Sequence, residues 1–114
     1  QLPALATDNQ SFAQQLVDLM LSSLAGWEES TQSTRIELAE QSGIWRVSVD
    51  DGRIRTRSLD RYLSMKTLPK NPRWREVLRT AHFVLASCPL STGRKEEISE
   101  KLARLTQEIR ANSL

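Results

Sequence analysis

Side chains with catalytic potential are few and scattered in this chain. The single histidine, His82, and the single cysteine, Cys88, stand six residues apart, which places them on different faces of a helix and argues against a nucleophile–base dyad. His82 reads as a structural or partly exposed side chain and Cys88 as a small buried one. Metal binding would need ligands clustered at short spacing, and the sequence has none. Nor does it contain a glycine-rich phosphate loop, a serine-centred elbow or zinc spacing. Asp50-Asp51 could pass for paired carboxylates, but with Gly52 after them they suit a tight turn better. No enzyme is expected and no cofactor is implied.

The residue type that is concentrated is arginine. Residues 44–84 hold ten bases (Arg46, Arg53, Arg55, Arg57, Arg61, Lys66, Lys70, Arg73, Arg75 and Arg79) against the four acids Asp50, Asp51, Asp60 and Glu76. Residues 1–43 hold Arg35 alone against six acids, and residues 85–114 hold five bases against four acids. A formal net charge of +2 therefore conceals a polarised chain. Eight of the ten central bases are arginines, whose planar fork matches phosphate oxygens and guanine edges. These ten residues are the expected nucleic-acid contacts, with double-stranded DNA ahead of RNA. The competing reading makes them a solvated face, partners of Asp60 and Glu76, or a docking surface for an acidic segment of this or another copy.

The elements that must position these bases follow from local pattern. Residues 1–8, interrupted by Pro3, read as an irregular lead-in, and residues 9–114 as a single mainly helical domain. From about Asn9, residues Phe12, Leu16, Leu19 and Ser23, beside Met20, Leu24 and Trp27, recur at helical spacing, so a helix is expected over about 9–27 with its end within 25–31. Thr34-Arg35-Ile36-Glu37 is a capping box that should open a helix over 34–42, stopped by Ser42-Gly43. Leu38, Ala39, Gly43 and Ile44 also suit the first helix and turn of a helix-turn-helix unit. A recognition helix directly after them is excluded by Asp50-Asp51-Gly52.

A β-hairpin fits that stretch. Trp45, Val47 and Val49 alternate with polar residues, Asp51-Gly52 supplies the turn, and Ile54 alternates with Arg53, Arg55 and Arg57. Its Trp45/Val47/Val49/Ile54 side is expected to pack on helices and its arginine side to face out. Ser58 should cap a short helix over 58–65 carrying Leu59, Tyr62 and Leu63. After the break at Leu68-Pro69, Asn71 as cap and Pro72 as first residue should open a helix over 72–88. Trp74, Val77, Leu78, Ala81, Val84 and Leu85 make it the expected central core helix, built around Trp74, Leu78 and Leu85. A last helix over 92–111 carries Ile98, Leu102, Leu105 and Ile109 at heptad-like spacing. Fewer than two and a half heptads do not make a coiled coil, so it is expected to pack back on the domain, with a homodimer surface as the alternative.

Two placements of DNA contacts suit these elements. The start of the 72–88 helix could offer Lys70, Arg73, Arg75 and open backbone N–H groups to phosphate or a groove. The Arg53/Arg55/Arg57 strand could act as a wing, as in winged variants of the helix-turn-helix. The strings Trp45-Arg46, Arg55-Thr56-Arg57-Ser58-Leu59-Asp60-Arg61-Tyr62-Leu63 and Leu68-Pro69-Lys70-Asn71-Pro72-Arg73-Trp74-Arg75 resemble cyanobacterial regulators of the HetZ type. That resemblance covers about a third of the chain and implies a DNA-binding transcription regulator that works beside other regulatory proteins.

The expected protein is thus a mainly α domain with a helix-turn-helix-like unit and one hairpin, possibly winged-helix-like. Its expected function is a DNA-binding module of a transcription regulator. The alternative is a helical protein-interaction or dimerisation domain that uses charge complementarity. A start at Gln1 rather than Met suggests a module of a larger protein, one cysteine permits no internal disulfide, and no apolar run approaches the length needed to span a bilayer. Cytoplasm, or nucleoid in a bacterium, is the expected location.

Overall fold

The computed structural model describes residues 2–70 and 72–111, with side chains from Phe12 onward. In chain order it contains α1 (Leu2–Thr31), α2 (Arg35–Ser42), β1 (Ser48–Asp50), β2 (Arg53–Arg55), α3 (Arg57–Asp60), a 3₁₀ turn (Arg61–Leu63), α4 (Trp74–Ser87) and α5 (Thr92–Ala111). The expected mainly helical architecture with one hairpin is the one observed. Among the described residues no helix is long and apolar enough to cross a membrane.

The organising element is α1. It packs against α2, the 3₁₀ turn, α4 and α5, so it, and not α4, occupies the centre. Leu16, Leu19 and Met20 are fully buried, together with Val77 and Val84 of α4 and Ile98 and Leu105 of α5. Trp74, Leu78 and Leu85, the residues expected at the centre, are only partly buried at the edge of this cluster. The apolar stripe of α4 is broad, and Val77, Ala81 and Val84 lie on the line that meets α1.

The start of α1 also differs from expectation. The helix begins at Leu2, so the stretch read as an irregular lead-in is helical. Pro3 falls in the first turn, where its missing N–H has no helical acceptor to lose. The other end runs beyond Gly26 to Thr31, where the Thr31 hydroxyl donates to the Trp27 carbonyl at 2.6 Å. The Trp27 indole N–H donates to the Thr34 carbonyl at 3.0 Å and so fixes the entry to α2.

Helix α2 follows its local code closely. Its capping box is formed at Thr34 and Glu37, with the Thr34 N–H donating to Glu37 Oε1 at 3.3 Å. Gly43 ends it in the left-handed region at φ 69°, where a Cβ would be disfavoured. Helix α4 starts at Trp74 with Arg73 in the capping position, two residues later than expected from Pro72. The expected cap, Asn71, lies outside the described residues. Helix α5 spans the expected range, but Ile98, Leu102 and Leu105 are buried in the chain's own core and Ile109 packs against it. The heptad-like stripe is consumed within the fold, as expected of a helix that packs back on the domain.

Two features hold α5 on α1. Gly26 permits close approach: a Cβ there would stand 2.9 Å from Leu90 Cδ2, 3.2 Å from Ile98 Cδ1 and 3.3 Å from Arg94 Cγ. Beside it, Arg94 donates to both oxygens of Glu29, at 3.2 and 2.6 Å, and to Glu97 Oε1 at 2.7 Å. Lys101 Nζ donates to Glu97 Oε2 at 3.1 Å and to Ser22 Oγ at 2.7 Å, while Ser22 donates to Glu97 Oε2 at 3.1 Å. The Lys101 ammonium, aided by Ser22 and Arg94, holds the Glu97 carboxyl below the usual glutamate range, against the opposing effect of burial.

Gly26→Val is expected to cost about 1–3 kcal/mol by overpacking the α1–α5 contact, read as a lower midpoint in thermal denaturation. The Glu97 contribution is fully present above the unfolded value of about 4.3 and is lost as pH falls through the lower folded value. Melting followed from about pH 6 to about pH 3 should therefore show a smaller acid-induced fall in Tm for Glu97→Gln than for the parent chain.

Candidate nucleic-acid interface

The hairpin turn is set by residues 51 and 52. Asp51 and Gly52 have φ of 52° and 74°, the pair of positive values that a type I′ turn requires. The register is Ser48↔Arg55, Val49↔Ile54 and Asp50↔Arg53, so Val49 and Ile54 share one face and the arginines the other. The expected packing of this apolar side holds at the base, where Trp45 is buried and Val47 packs against the core, and fails at the tip, where Val49 is 73% and Ile54 48% exposed. Only the base of the hairpin is anchored, because the strands project away from the helices. Arg57 lies outside the strand as the first residue of α3.

The anchor is Trp45. Its indole is buried, lies 5.0 Å from the Tyr62 ring between centroids, and donates to Thr80 Oγ1 at 2.8 Å. Thr80 in turn donates to the Glu76 carbonyl at 2.7 Å. The Tyr62 hydroxyl accepts from the backbone N–H of Arg73 at 2.7 Å. Hairpin base, 3₁₀ turn and the start of α4 are therefore joined through one aromatic pair. At the head of α3 the expected Ser58 cap is absent, and Thr56 stands in the capping position. Asp60 Oδ1 accepts from Thr56 Oγ1 at 3.0 Å and from Arg35 Nη1 at 2.9 Å, which ties α3 to the start of α2.

All ten expected contact residues are exposed. Arg53 and Arg55 sit on β2; Lys66 and Lys70 lie in the loop before α4; Arg75 places its guanidinium 4.5 Å above the Trp74 ring. Two of the set have acidic neighbours, Arg57 with Asp50 and Arg79 with Glu76. Among the described residues, none of the ten pairs with an acid from residues 1–43; Glu29 is engaged by Arg94 of α5 instead.

The structure gathers Arg46, Arg61 and Arg73 around one cleft of about 530 Å³, with Ile44, Trp45, Ser58, Tyr62, Pro69 and Glu76. Arg73 and Arg75 also line a smaller hollow at the start of α4. Lys70 faces a different hollow with Phe12, Leu68 and Trp74, and the hairpin arginines line neither cleft. Sequence reasoning took Ser58 for a helix cap and missed its place in the cleft, which no local signal reveals. Among the described residues no group of His, Cys, Asp and Glu could hold a metal ion.

Thr80→Val, which keeps shape but removes the acceptor of the Trp45 N–H, is expected to cost about 1–3 kcal/mol. Chemical denaturation followed by tryptophan fluorescence would measure it, and a loss below about 0.5 kcal/mol would show that the indole does not depend on this bond.

No family model and no curated protein matches the chain. Among solved structures it is similar to the DNA-binding domain of the sensor histidine kinase ChiS from Vibrio cholerae, with a TM-score of 0.86 and 35% identity. The match covers 90% of this chain and 96% of that one. It agrees with the DNA-binding class of the earlier resemblance and carries nothing specific to HetZ-type regulators. At this identity and coverage, the chain belongs to the family of the ChiS DNA-binding domain.

Proposed function

We propose that this chain binds double-stranded DNA and serves as the DNA-binding module of a transcription regulator. The observation that carries the reading is a cluster of arginines without ion-pair partners, in a fold shared with a DNA-binding domain. Eight of the ten expected contacts, Arg46, Arg53, Arg55, Arg61, Lys66, Lys70, Arg73 and Arg75, are absent from every ion pair among the described residues. Such a surface attracts a polyanion and gains from the counterions that DNA releases.

The mechanism divides the work between the two expected placements. The hairpin acts as a wing whose Arg53 and Arg55 lie against backbone or a groove edge, with Arg57 at its foot. Arg73 and Arg75 at the start of α4, with Arg46 and Arg61 beside them, meet phosphate, and a subset of the arginines reads base edges. Lys66, Lys70 and Arg79 add to the field. The HetZ-type resemblance of residues 44–85 supports the same class of work, a regulator acting with other proteins. A protein-docking reading loses its main surface, because the α5 stripe is buried within this chain.

Binding to a mixed-sequence duplex at about 50 and about 200 mM salt tests the reading. Affinity should fall by at least about a hundredfold between them, and Arg53/Arg55/Arg57→Ala should reduce the logarithmic salt slope by about two to three. Failure of the parent chain to bind at the lower salt, or binding indifferent to salt, would refute DNA as the ligand.

A further inference from the structure

We propose that the cleft between the hairpin base, the 3₁₀ turn and the start of α4 is a phosphoryl site, in which Arg46, Arg61, Arg73 and the Ser58 hydroxyl seat a phosphate group. The site deepens the DNA-binding reading and rests on it for the source of that phosphate, a backbone phosphodiester. Its chemistry rests on the cleft alone.

Three guanidiniums line the cleft against a single carboxylate, Glu76. None of the three forms an ion pair, although the chain pairs Arg35, Arg57, Arg94 and Arg104 with carboxylates elsewhere. Glu76 pairs with Arg79, 3.9 Å away and one turn further along α4, so its charge is shared with a residue that does not line the cleft. Positive side chains gathered in this way repel one another until an anion separates them.

The second observation is the Ser58 hydroxyl. Its oxygen is buried yet has no hydrogen-bond partner among the described residues, although buried hydroxyls are normally satisfied. Turned toward the cleft by rotation about χ1, it can donate to a phosphate oxygen, a strong acceptor. The other polar groups of the wall are engaged, since the Trp45 N–H is held by Thr80 and the Tyr62 hydroxyl by the Arg73 N–H. Arginine forks and one hydroxyl are therefore the donors left for an anion. At about 530 Å³ the cleft has room for a phosphodiester with adjoining sugar. The exposed Arg53 and Arg55 on β2 have no such concavity and act through their charge alone.

Two measurements on the intact chain test the site. Titration with sodium phosphate, followed by NMR of the arginine side chains and the Ser58 amide, should shift Arg61, Arg73 and Ser58 well before Arg53 and Arg55. Uniform shifts across the exposed arginines would overturn the proposal. On the mixed duplex, Arg61→Ala/Arg73→Ala should weaken binding by roughly tenfold or more and lower the salt slope by about one, and Ser58→Asp should do at least as much. Arg61 and Arg73 are exposed and Ser58 is half-buried, and an unchanged circular dichroism melt verifies folding. If the duplex binds and these variants match the parent, the cleft site fails while DNA binding stands. If phosphate selects the cleft but no duplex binds, the site is one for free phosphoryl anions and the DNA reading fails instead.

Discussion

The burial of the Trp45 indole between Tyr62 and Thr80 is the constraint on which the basic half of the molecule depends. A two-stranded ribbon is marginal by itself, and here it has no helix beneath Val49 and Ile54. Its direction relative to α4 is therefore set at its base, by the tilted Trp45–Tyr62 contact and the indole hydrogen bond to Thr80. Tyr62 uses its ring for Trp45 and its hydroxyl for the Arg73 N–H. One aromatic pair thus fixes three segments that are distant in sequence, and those segments carry the arginines of the cleft.

The other half of the molecule makes this arrangement electrostatically effective. The polar contacts that α1 makes across the fold look toward α5: the Glu29 carboxylate meets Arg94, and the Ser22 hydroxyl joins the Glu97–Lys101 pair. Solvent-exposed ion pairs of this sort contribute little to stability. Their larger consequence is where they place charge. Glu29 of the first third is matched with base from the last helix, while eight of the ten central bases stay outside every ion pair among the described residues. The close packing at Gly26 holds α5 in the position that allows this pairing.

What was legible in the sequence is what local chemistry decides. The capping box at Thr34, the stop at Gly43 and the turn at Asp51-Gly52 each depend on a few neighbouring residues, and all three stand as expected. Periodicity also located α4 and α5, but it marks a face without saying what covers it. The stripe through Ile98, Leu102 and Leu105 suits a second copy as well as it suits α1, and only the tertiary fold decides between them. Alternation in the hairpin likewise put Val49 and Ile54 on one face, yet no local rule states that the face stays open. Pro3 was taken as a break because its tolerance in a first turn depends on where the helix begins. The basic residues were legible as a set; their division into a cleft trio and a hairpin pair was not, since Arg46, Arg61 and Arg73 meet only through Trp45 and Tyr62.

A cluster of unpaired like charges is a poor choice for stability, and its persistence here is physically cheap for a definite reason. Arg46, Arg61 and Arg73 are exposed, so water screens their repulsion to about 1 kcal/mol for charges 4 Å apart, and salt reduces it further. Apart from the Ser58 hydroxyl, the buried part of the site is aromatic and satisfied within the chain, so the fold needs no anion to hold its shape. An anion entering such a site meets donors already placed and loses little free energy to reorganisation. Lysines at the same positions would offer charge without the fixed fork and would leave orientation to a flexible stem. The aromatic anchor and the choice of arginine are therefore two parts of one device: the first fixes where each guanidinium starts from, and the second makes that position count.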